Sequence, residues 1–202
     1  MQNILDILGS TVLAAAVILS ILGLNLLMSD SSREVSADLY VQENMAEFTD
    51  QIQFDISKIG QGDTLKAPIL IAESKRIRFI CDIDNSSTSD TITYYCGDST
   101  MLKSTPNPRD FPLYRVVKYR KLGNPKPDTM KISIGLTRFA LTFYNDSGKV
   151  TTYRTKIKGV DIDTNIENPF PAKDAKGKVQ MASISGTSWR SRIYPRNINV
   201  PK

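Results

Sequence analysis

The fold is decided by an uncharged apolar stretch near the N-terminus, ILGSTVLAAAVILSILGLNLLM at residues 7–28. As an α-helix these 22 residues extend about 33 Å, enough to cross the hydrocarbon core of a bilayer. The few hydroxyl groups in the stretch can donate hydrogen bonds to carbonyls of the same helix. A cleaved signal peptide would have a basic start and a shorter apolar core, whereas the first base here is Arg33. We therefore predict a membrane-length helix half at residues 1–28.

The same helix is predicted to continue as an amphipathic half over residues 29–60. No Pro or Gly interrupts residues 24–59, and IGQGD at 59–63 supplies a stop signal. One apolar stripe is expected, covered least regularly between Leu39 and Met45 by Val41 and Gln42; its members are Val35, Leu39, Met45, Phe48, Ile52, Ile56 and Ile59. We expect one helix over about residues 4–59. A single-span anchor followed by a separate soluble helix is the alternative.

Charge is distributed unevenly between this helix and the rest of the chain. Residues 1–60 carry two bases and eight acids, whereas residues 61–202 carry 24 bases and 13 acids. An acidic stem with a basic head favours side-by-side packing of copies, heads against neighbouring stems. Nucleic acid is the competing partner of a basic head. Because the bases are spread through alternating segments, a solvated surface is the default interpretation.

The only two cysteines, Cys81 and Cys96, lie in RIRFICDIDNSSTSDTITYYCGD. Strand alternation places Cys81 on one face with Ile77 and Phe79, and Cys96 on one face with Ile92 and Tyr94. A hairpin turning through DNSSTSD can bring the cysteines opposite each other, and a disulfide there would stabilise by about 3 kcal/mol. This predicts a disulfide and an oxidising compartment. A reduced buried pair is the alternative.

The remaining residues 61–202 are predicted to form one β-rich head. The strands are expected in the cysteine hairpin, FPLYRVVKYRKL, the segment from TMKISIG to GVDID and the final KVQMASISGTSWRSRIYP, with NDSG as a hairpin turn between FALTFY and KVTTYR. APILIAES is either a further strand or a remnant of the helix. TNIENPFPAKDAKG is expected to be irregular. The fold class is therefore α+β, with the long helix packed on an antiparallel sheet.

Catalytic motifs are absent from the sequence, and the chain contains no histidine. Two DID stretches are weak calcium candidates: Asp82, Asp84 and Asp90 in the first, Asp161 and Asp163 in the second. The first copies the alternate spacing of an EF-hand loop but has Ser87 at the glycine position and Thr93 at the terminal glutamate position. Turn formation by Asp, Asn and Ser is the alternative. We predict neither an enzyme nor an obligatory cofactor.

A basic and aromatic run, YRVVKYRK at residues 114–121, is a candidate surface for single-stranded nucleic acid. Alternation within an ordinary exposed strand explains the same run, and the sequence alone favours that interpretation.

Taken together, the unbroken apolar-to-amphipathic helix and the β-rich head with its expected disulfide resemble the type IV pilin and pseudopilin superfamily. Within it, SDTITYYCGD, FALTFYNDSG, IKGVDIDTN and SWRSRIYPRNIN follow the order expected of minor pilin and pseudopilin heads. Two features depart from the family: the usual glutamate at the fifth mature position is replaced by Leu5 with Asp6 next to it, and the usual initial phenylalanine is Met1. Either a leader has been removed before Met1, or a divergent member starts at its own Met.

The resemblance implies a structural subunit of an extracellular type IV pilus-like or pseudopilus filament, polymerising through its N-terminal helix. Its implied partners are copies of itself, other pilins or pseudopilins, and an inner-membrane assembly machinery. The chain would reside in the inner membrane before assembly and at the cell surface or in a periplasmic pseudopilus afterwards. Asp6 would pair with the amine of Met1 on a neighbouring copy, since a buried carboxylate needs an opposite charge. The alternatives for Asp6 are a hydroxyl such as that of Ser10 or Thr11 on a neighbouring helix, and a solvated position near the membrane surface. Alternatives are a membrane-anchored periplasmic adhesion or binding module and a DNA-capturing pilin.

Overall fold

The computed structural model describes residues 2–62, 67–86, 88–98, 105–120, 126–171, 176–179 and 184–199. It contains one long N-terminal helix followed by antiparallel β-sheet, which confirms the α+β class. The chain forms two compact units, Met1–Leu39 and Tyr40–Lys202. The first unit consists of helix, and the second contains the last turns of that helix and every described strand.

Helix α1 is continuous over Gln2–Ser57, and no Pro or Gly interrupts it after Gly23, as predicted for residues 24–59. A turn follows in which Gly60 and Gly62 adopt φ of 82° and 70°, a conformation that side chains other than glycine rarely adopt. The Gly60 amide donates to the Ile80 carbonyl at 2.9 Å, so the end of the helix is tied to a strand of the head. The predicted stop signal thus ends the helix and directs the chain into the sheet.

The strands form two antiparallel sheets from consecutive parts of the chain. The five-stranded sheet has the order β1-β2-β3-β4-β5 and the three-stranded sheet the order β6-β7-β8. Their bounds are β1 Ile69–Glu73, β2 Arg76–Cys81, β3 Asp90–Cys96, β4 Leu113–Lys118, β5 Asp128–Ile132, β6 Leu136–Tyr144, β7 Gly159–Glu167 and β8 Gly186–Ile193. The sheets meet at β1 and β6, where the Leu141 amide donates to the Ser74 carbonyl at 2.8 Å.

One hydrophobic core lies between the helix and both sheets. Its helical members recur every three or four residues, and they are Val41, Met45, Phe48, Ile52, Ile56 and, just past the helix, Ile59. The ring of Phe48 packs edge-on against Phe139 of the three-stranded sheet, with centroids 6.4 Å apart. The core is therefore shared by elements distant in sequence.

Two details of the predicted stripe are wrong at its N-terminal end. Val35 and Leu39 are 55% and 60% exposed, and burial begins at Val41, which is 2% exposed. At 100° per residue Leu39 lies about 160° around the helix from Val41, so the two cannot share one face. The irregular step between Leu39 and Met45 marked this change of phase.

The strands near the C-terminus also differ from the prediction. The NDSG turn forms, since the Asn145 amide donates to the Lys149 carbonyl, but KVTTYR contributes only the bridge of Val150 to Tyr144. The partner of β6 is instead β7, which continues through TNIE, a segment expected to be irregular. Thr164 and Ile166 are fully buried there, so TNIE continues the alternation of GVDID.

Candidate functional site

The most prominent surface feature is the apolar part of α1. Large hydrophobic side chains from Ile4 to Met28 are 53–70% exposed and point to all sides of the helix. This helix is long and apolar enough to cross a membrane, and none of its most apolar window is buried. Exposed apolar surface on this scale marks contact with lipid or with other protein.

The hydroxyl groups inside the apolar part are satisfied by their own helix. Ser10, Thr11 and Ser20 donate to the carbonyls of Ile7, Leu8 and Ala16 at 2.9 Å each, as the sequence predicts. These side chains therefore do not interrupt the apolar character of the surface.

Asp6 is the single acid within the first 28 residues, and it is exposed. It lies in the first turns of α1, whereas its predicted partner Met1 lies outside the described residues. The pairing of Asp6 with a neighbour's amine remains a prediction, because only one copy of the chain is present.

A buried ionic network that the sequence reasoning missed joins α1 to the five-stranded sheet. Asp55 Oδ2 accepts from Arg115 Nε and from the Tyr94 hydroxyl, each at 2.7 Å, and Asp55 Oδ1 accepts from Arg115 Nη2 at 3.2 Å. Asp55 is 1% exposed and Tyr94 is fully buried. The sequence did contain one signal for this network, because Asp55 follows Ile52 by three residues and therefore lies near the apolar face of the helix.

The network also fixes the protonation of Tyr94 and Arg115. Burial and the adjacent Asp55 carboxylate raise the pKa of Tyr94 well above its ordinary value, so the hydroxyl stays a donor. Burial alone would lower the pKa of Arg115, but its hydrogen bond to Asp55 and the charge of Asp55 raise it. Arg115 therefore remains charged inside the head.

The predicted disulfide between Cys81 and Cys96 is not formed, and both cysteines are free thiols. Cys81 is opposite Asp90 at the turn end of the β2–β3 hairpin, whereas Cys96 lies beyond the Arg76–Tyr95 pair at the other end. The alternation prediction was correct, since Ile77, Phe79 and Cys81 are all buried. The register prediction was wrong, because the two cysteines are offset by six residues, or about 20 Å along the strands.

Burial also makes both thiols poor nucleophiles. It raises the pKa of Cys81 to about 12 and that of Cys96 to about 11, from the ordinary 9.0. Neither thiol is ionised near neutral pH, so neither is activated for attack or for metal binding.

The first calcium candidate forms a compact acidic cluster in the loop between β2 and β3. Carboxylate oxygens of Asp82, Asp84 and Asp90 lie within 4.8 Å of one another. The Ser86 amide donates to both Asp82 and Asp84, and Asp90 accepts from the amides of Ile83 and Arg120. Carboxylate oxygens suit a hard cation such as calcium. Their hydrogen bonds to backbone amides are, however, those expected of the alternative interpretation, in which these residues form a turn.

The second candidate pair is occupied by arginines. Asp161 accepts from Arg190 Nη2 at 2.9 Å and lies 3.6 Å from Arg192, while Asp163 pairs with Arg138 at 2.8 Å. The hydrogen bond from Arg190 lowers the pKa of Asp161. Asp161 and Asp163 lie on the same face of β7, and each forms ion pairs with arginines of a neighbouring strand. Because these arginines neutralise both carboxylates, the two residues do not form a cation site.

The fold and the exposed helix define the class of this protein: an α+β protein with an N-terminal helix that is long and apolar enough to anchor it in a membrane. Comparison with protein-family models, with curated proteins and with solved structures yields no match.

Proposed function

We propose that this chain is a structural subunit of an extracellular type IV pilus-like or pseudopilus filament and polymerises through the N-terminal part of α1. The observation that carries the proposal is the exposed apolar surface on every side of that helix. A membrane anchor needs such a surface for lipid, and a helical polymer needs it for neighbouring helices once the subunit leaves the bilayer. The resemblance in the order of helix and head segments supports the second use.

The role proposed for Asp6 follows from what its neighbours can offer. A carboxylate among packed apolar helices needs a hydrogen-bond donor and, better, an opposite charge. The hydroxyl protons of Ser10 and Thr11 are already donated within their own helix. The amine of Met1 on an adjacent copy is therefore the preferred partner.

The remaining parts of the proposal follow from this assembly. The partners are copies of the chain, other pilins or pseudopilins and an inner-membrane assembly machinery, and the role is structural rather than enzymatic. The subunit would reside in the inner membrane first and in a cell-surface filament or periplasmic pseudopilus afterwards. A membrane-anchored adhesion or binding module uses the same anchor without polymerising, so the decisive experiment must separate insertion from assembly.

The experiment compares Asp6→Asn with Asp30→Asn, which removes one negative charge from an exposed position of the same helix. Each full-length protein is produced in cells of its native host, which would supply the proposed assembly machinery, and membrane insertion and surface filaments are then assessed by fractionation and negative-stain electron microscopy. We expect Asp6→Asn to reduce filament yield while membrane insertion and head folding stay intact, and Asp30→Asn to assemble normally.

A truncation that removes residues 1–28 provides the second arm of this experiment. We expect it to be monomeric. Normal filaments from Asp6→Asn would remove Asp6 from the assembly contact. Filaments from the truncated chain, or membrane-inserted protein that never polymerises, would contradict the proposal as a whole.

A further inference from the structure

The outer face of the five-stranded sheet, turned away from the core, carries an ordered row of side chains. Arg76 pairs with Tyr95, Tyr95 with Tyr114, and Tyr114 with Lys131, so the row crosses four adjacent strands. At the usual strand spacing it extends about 14 Å. Two tyrosines thus occupy the centre of the sheet with one base at each end.

Two further bases lie on the same face and make it strongly positive. Arg78 lies two residues after Arg76 on β2 and therefore on the same face. Lys118 is opposite Thr91, which is four residues before Tyr95 on β3, so Lys118 also lies on this face. Among the residues of this face that have a partner on a neighbouring strand, the one acid is Glu73, which lies opposite Arg76 in the β1–β2 register. The four bases Arg76, Arg78, Lys118 and Lys131 form no ion pair within the described part of the chain.

The outer face of the three-stranded sheet also carries bases, but there they are paired with acids. Its outer arginines, Arg138, Arg190 and Arg192, lie against Asp161 and Asp163 and are largely neutralised. The bases on the outer face of the five-stranded sheet differ from these arginines, because no ion pair to an acid is formed by them within the described residues.

The tyrosine pair gives this face an aromatic platform. The rings of Tyr95 and Tyr114 are stacked, with centroids 5.1 Å apart and planes 18° from parallel, and both side chains are half-buried. Arg78 Nε donates to Thr93 Oγ1, which orients that guanidinium along the sheet. Arg76 Nε is buried without a hydrogen-bond partner among the described residues, so a phosphate contact of this residue would be made by its terminal guanidinium nitrogens.

We propose that this face binds single-stranded nucleic acid, with phosphates on the four bases and a nucleobase stacked against the tyrosine pair. Cations along a sheet with aromatic rings between them provide both contacts that such strands require, charge for the backbone and a flat surface for a base. Duplex DNA would use the charge but not the rings, because its bases are already stacked on one another. The inference is independent of filament formation, because it needs only the folded head.

The test measures fluorescence anisotropy of a labelled oligothymidylate of about 12 nucleotides with the full-length protein in neutral detergent. Four phosphate contacts predict that log K falls with log salt with a slope near −3. The double variant Lys118→Ala/Lys131→Ala should reduce the magnitude of that slope by about 1.4. Tyr114→Leu should weaken binding about 5- to 150-fold, the range of one base–aromatic contact.

Matched controls locate the effect on the sheet face. Lys149→Ala/Lys156→Ala removes the same charge from exposed positions elsewhere on the head, and Tyr153→Leu removes an exposed tyrosine there; both should bind as the unmodified protein does. Circular dichroism checks that each variant is folded. An abasic oligonucleotide of the same length has phosphates but no bases, so it tests stacking without any mutation. We expect the unmodified protein to bind this strand as weakly as the Tyr114→Leu variant binds oligothymidylate.

Three outcomes would overturn the proposal. Absence of measurable binding at low salt is the first. Equal weakening by the two lysine double variants would show that binding follows net charge rather than this face. Equal affinity for the abasic strand, or for a sulfated polysaccharide, would assign the face to polyanions in general.

Discussion

Removing Asp55 should destabilise the head more than any exposed ion-pair mutation, because it leaves Arg115 charged and unpaired in the interior. Arg115 is 12% exposed and the Asp55 side chain 1%. Breaking a buried pair at one partner costs about 3–5 kcal/mol. Tyr94→Phe removes one hydrogen bond to a carboxylate that keeps both bonds from Arg115, so its cost should be about 1.5 kcal/mol.

Urea unfolding of the full-length protein in detergent, followed by fluorescence of the single tryptophan, Trp189, measures these differences. With an m-value of about 2 kcal/mol/M, Asp55→Ala should lower the midpoint by about 1.5–2.5 M. Asp163→Ala is the matched control, since its partner Arg138 is 64% exposed and such pairs contribute about 0–1 kcal/mol.

A double variant tests the mechanism rather than the magnitude alone. Asp55→Leu/Arg115→Met removes both charges and fills the space with apolar atoms, so it should be more stable than Asp55→Ala. If the double variant is less stable than Asp55→Ala, or if Asp55→Ala resembles Asp163→Ala, the explanation by a stranded buried charge is wrong.

Three further predictions concern the thiols and the apolar helix. Alkylation of denatured protein without reductant should label both Cys81 and Cys96 by mass spectrometry, and an unlabelled linked pair would restore the disulfide. Stability should fall as pH rises above about 9, because thiols of the unfolded chain ionise near their ordinary pKa of 9.0 while the pKa of Cys81 in the folded chain is about 12. In Cys81→Ala the urea midpoint should therefore decline less steeply between pH 8 and 10.5. An equally steep decline in that variant would exclude Cys81 as the cause. The helix should loosen within residues 20–25 on assembly, where Gly23 costs about 1 kcal/mol relative to Ala, and regular hydrogen bonding throughout a filament map would contradict this.

Local patterns predicted most of the fold. Helix periodicity and the absence of Pro and Gly from residues 24–59 indicated that α1 is continuous, and alternation identified the buried faces of β2 and β3. Both signals operate over a few residues, so a single sequence reveals them. The acid at Asp55 was visible on the apolar face as well, but its partners lie 39 and 60 residues away. Nothing local connects those positions.

The cysteine error shows where such reasoning stops. Alternation fixes which face a residue occupies, and every hairpin register shifted by an even number of residues keeps the same faces. Cys81 and Cys96 share the inward face in the observed register and also in one that pairs them. The choice between these registers depends on the loop and on the fit of Ile77, Phe79 and Tyr94 against the helix, which are three-dimensional properties.

The shared core has a consequence for how the chain is made. Synthesis delivers α1 first, the five-stranded sheet next and the three-stranded sheet last. The ring of Phe48 therefore remains uncovered until Phe139, about ninety residues later in the chain, has been synthesised. We expect the nascent head to expose this surface until nearly the whole polypeptide has emerged, and to depend during that interval on a chaperone.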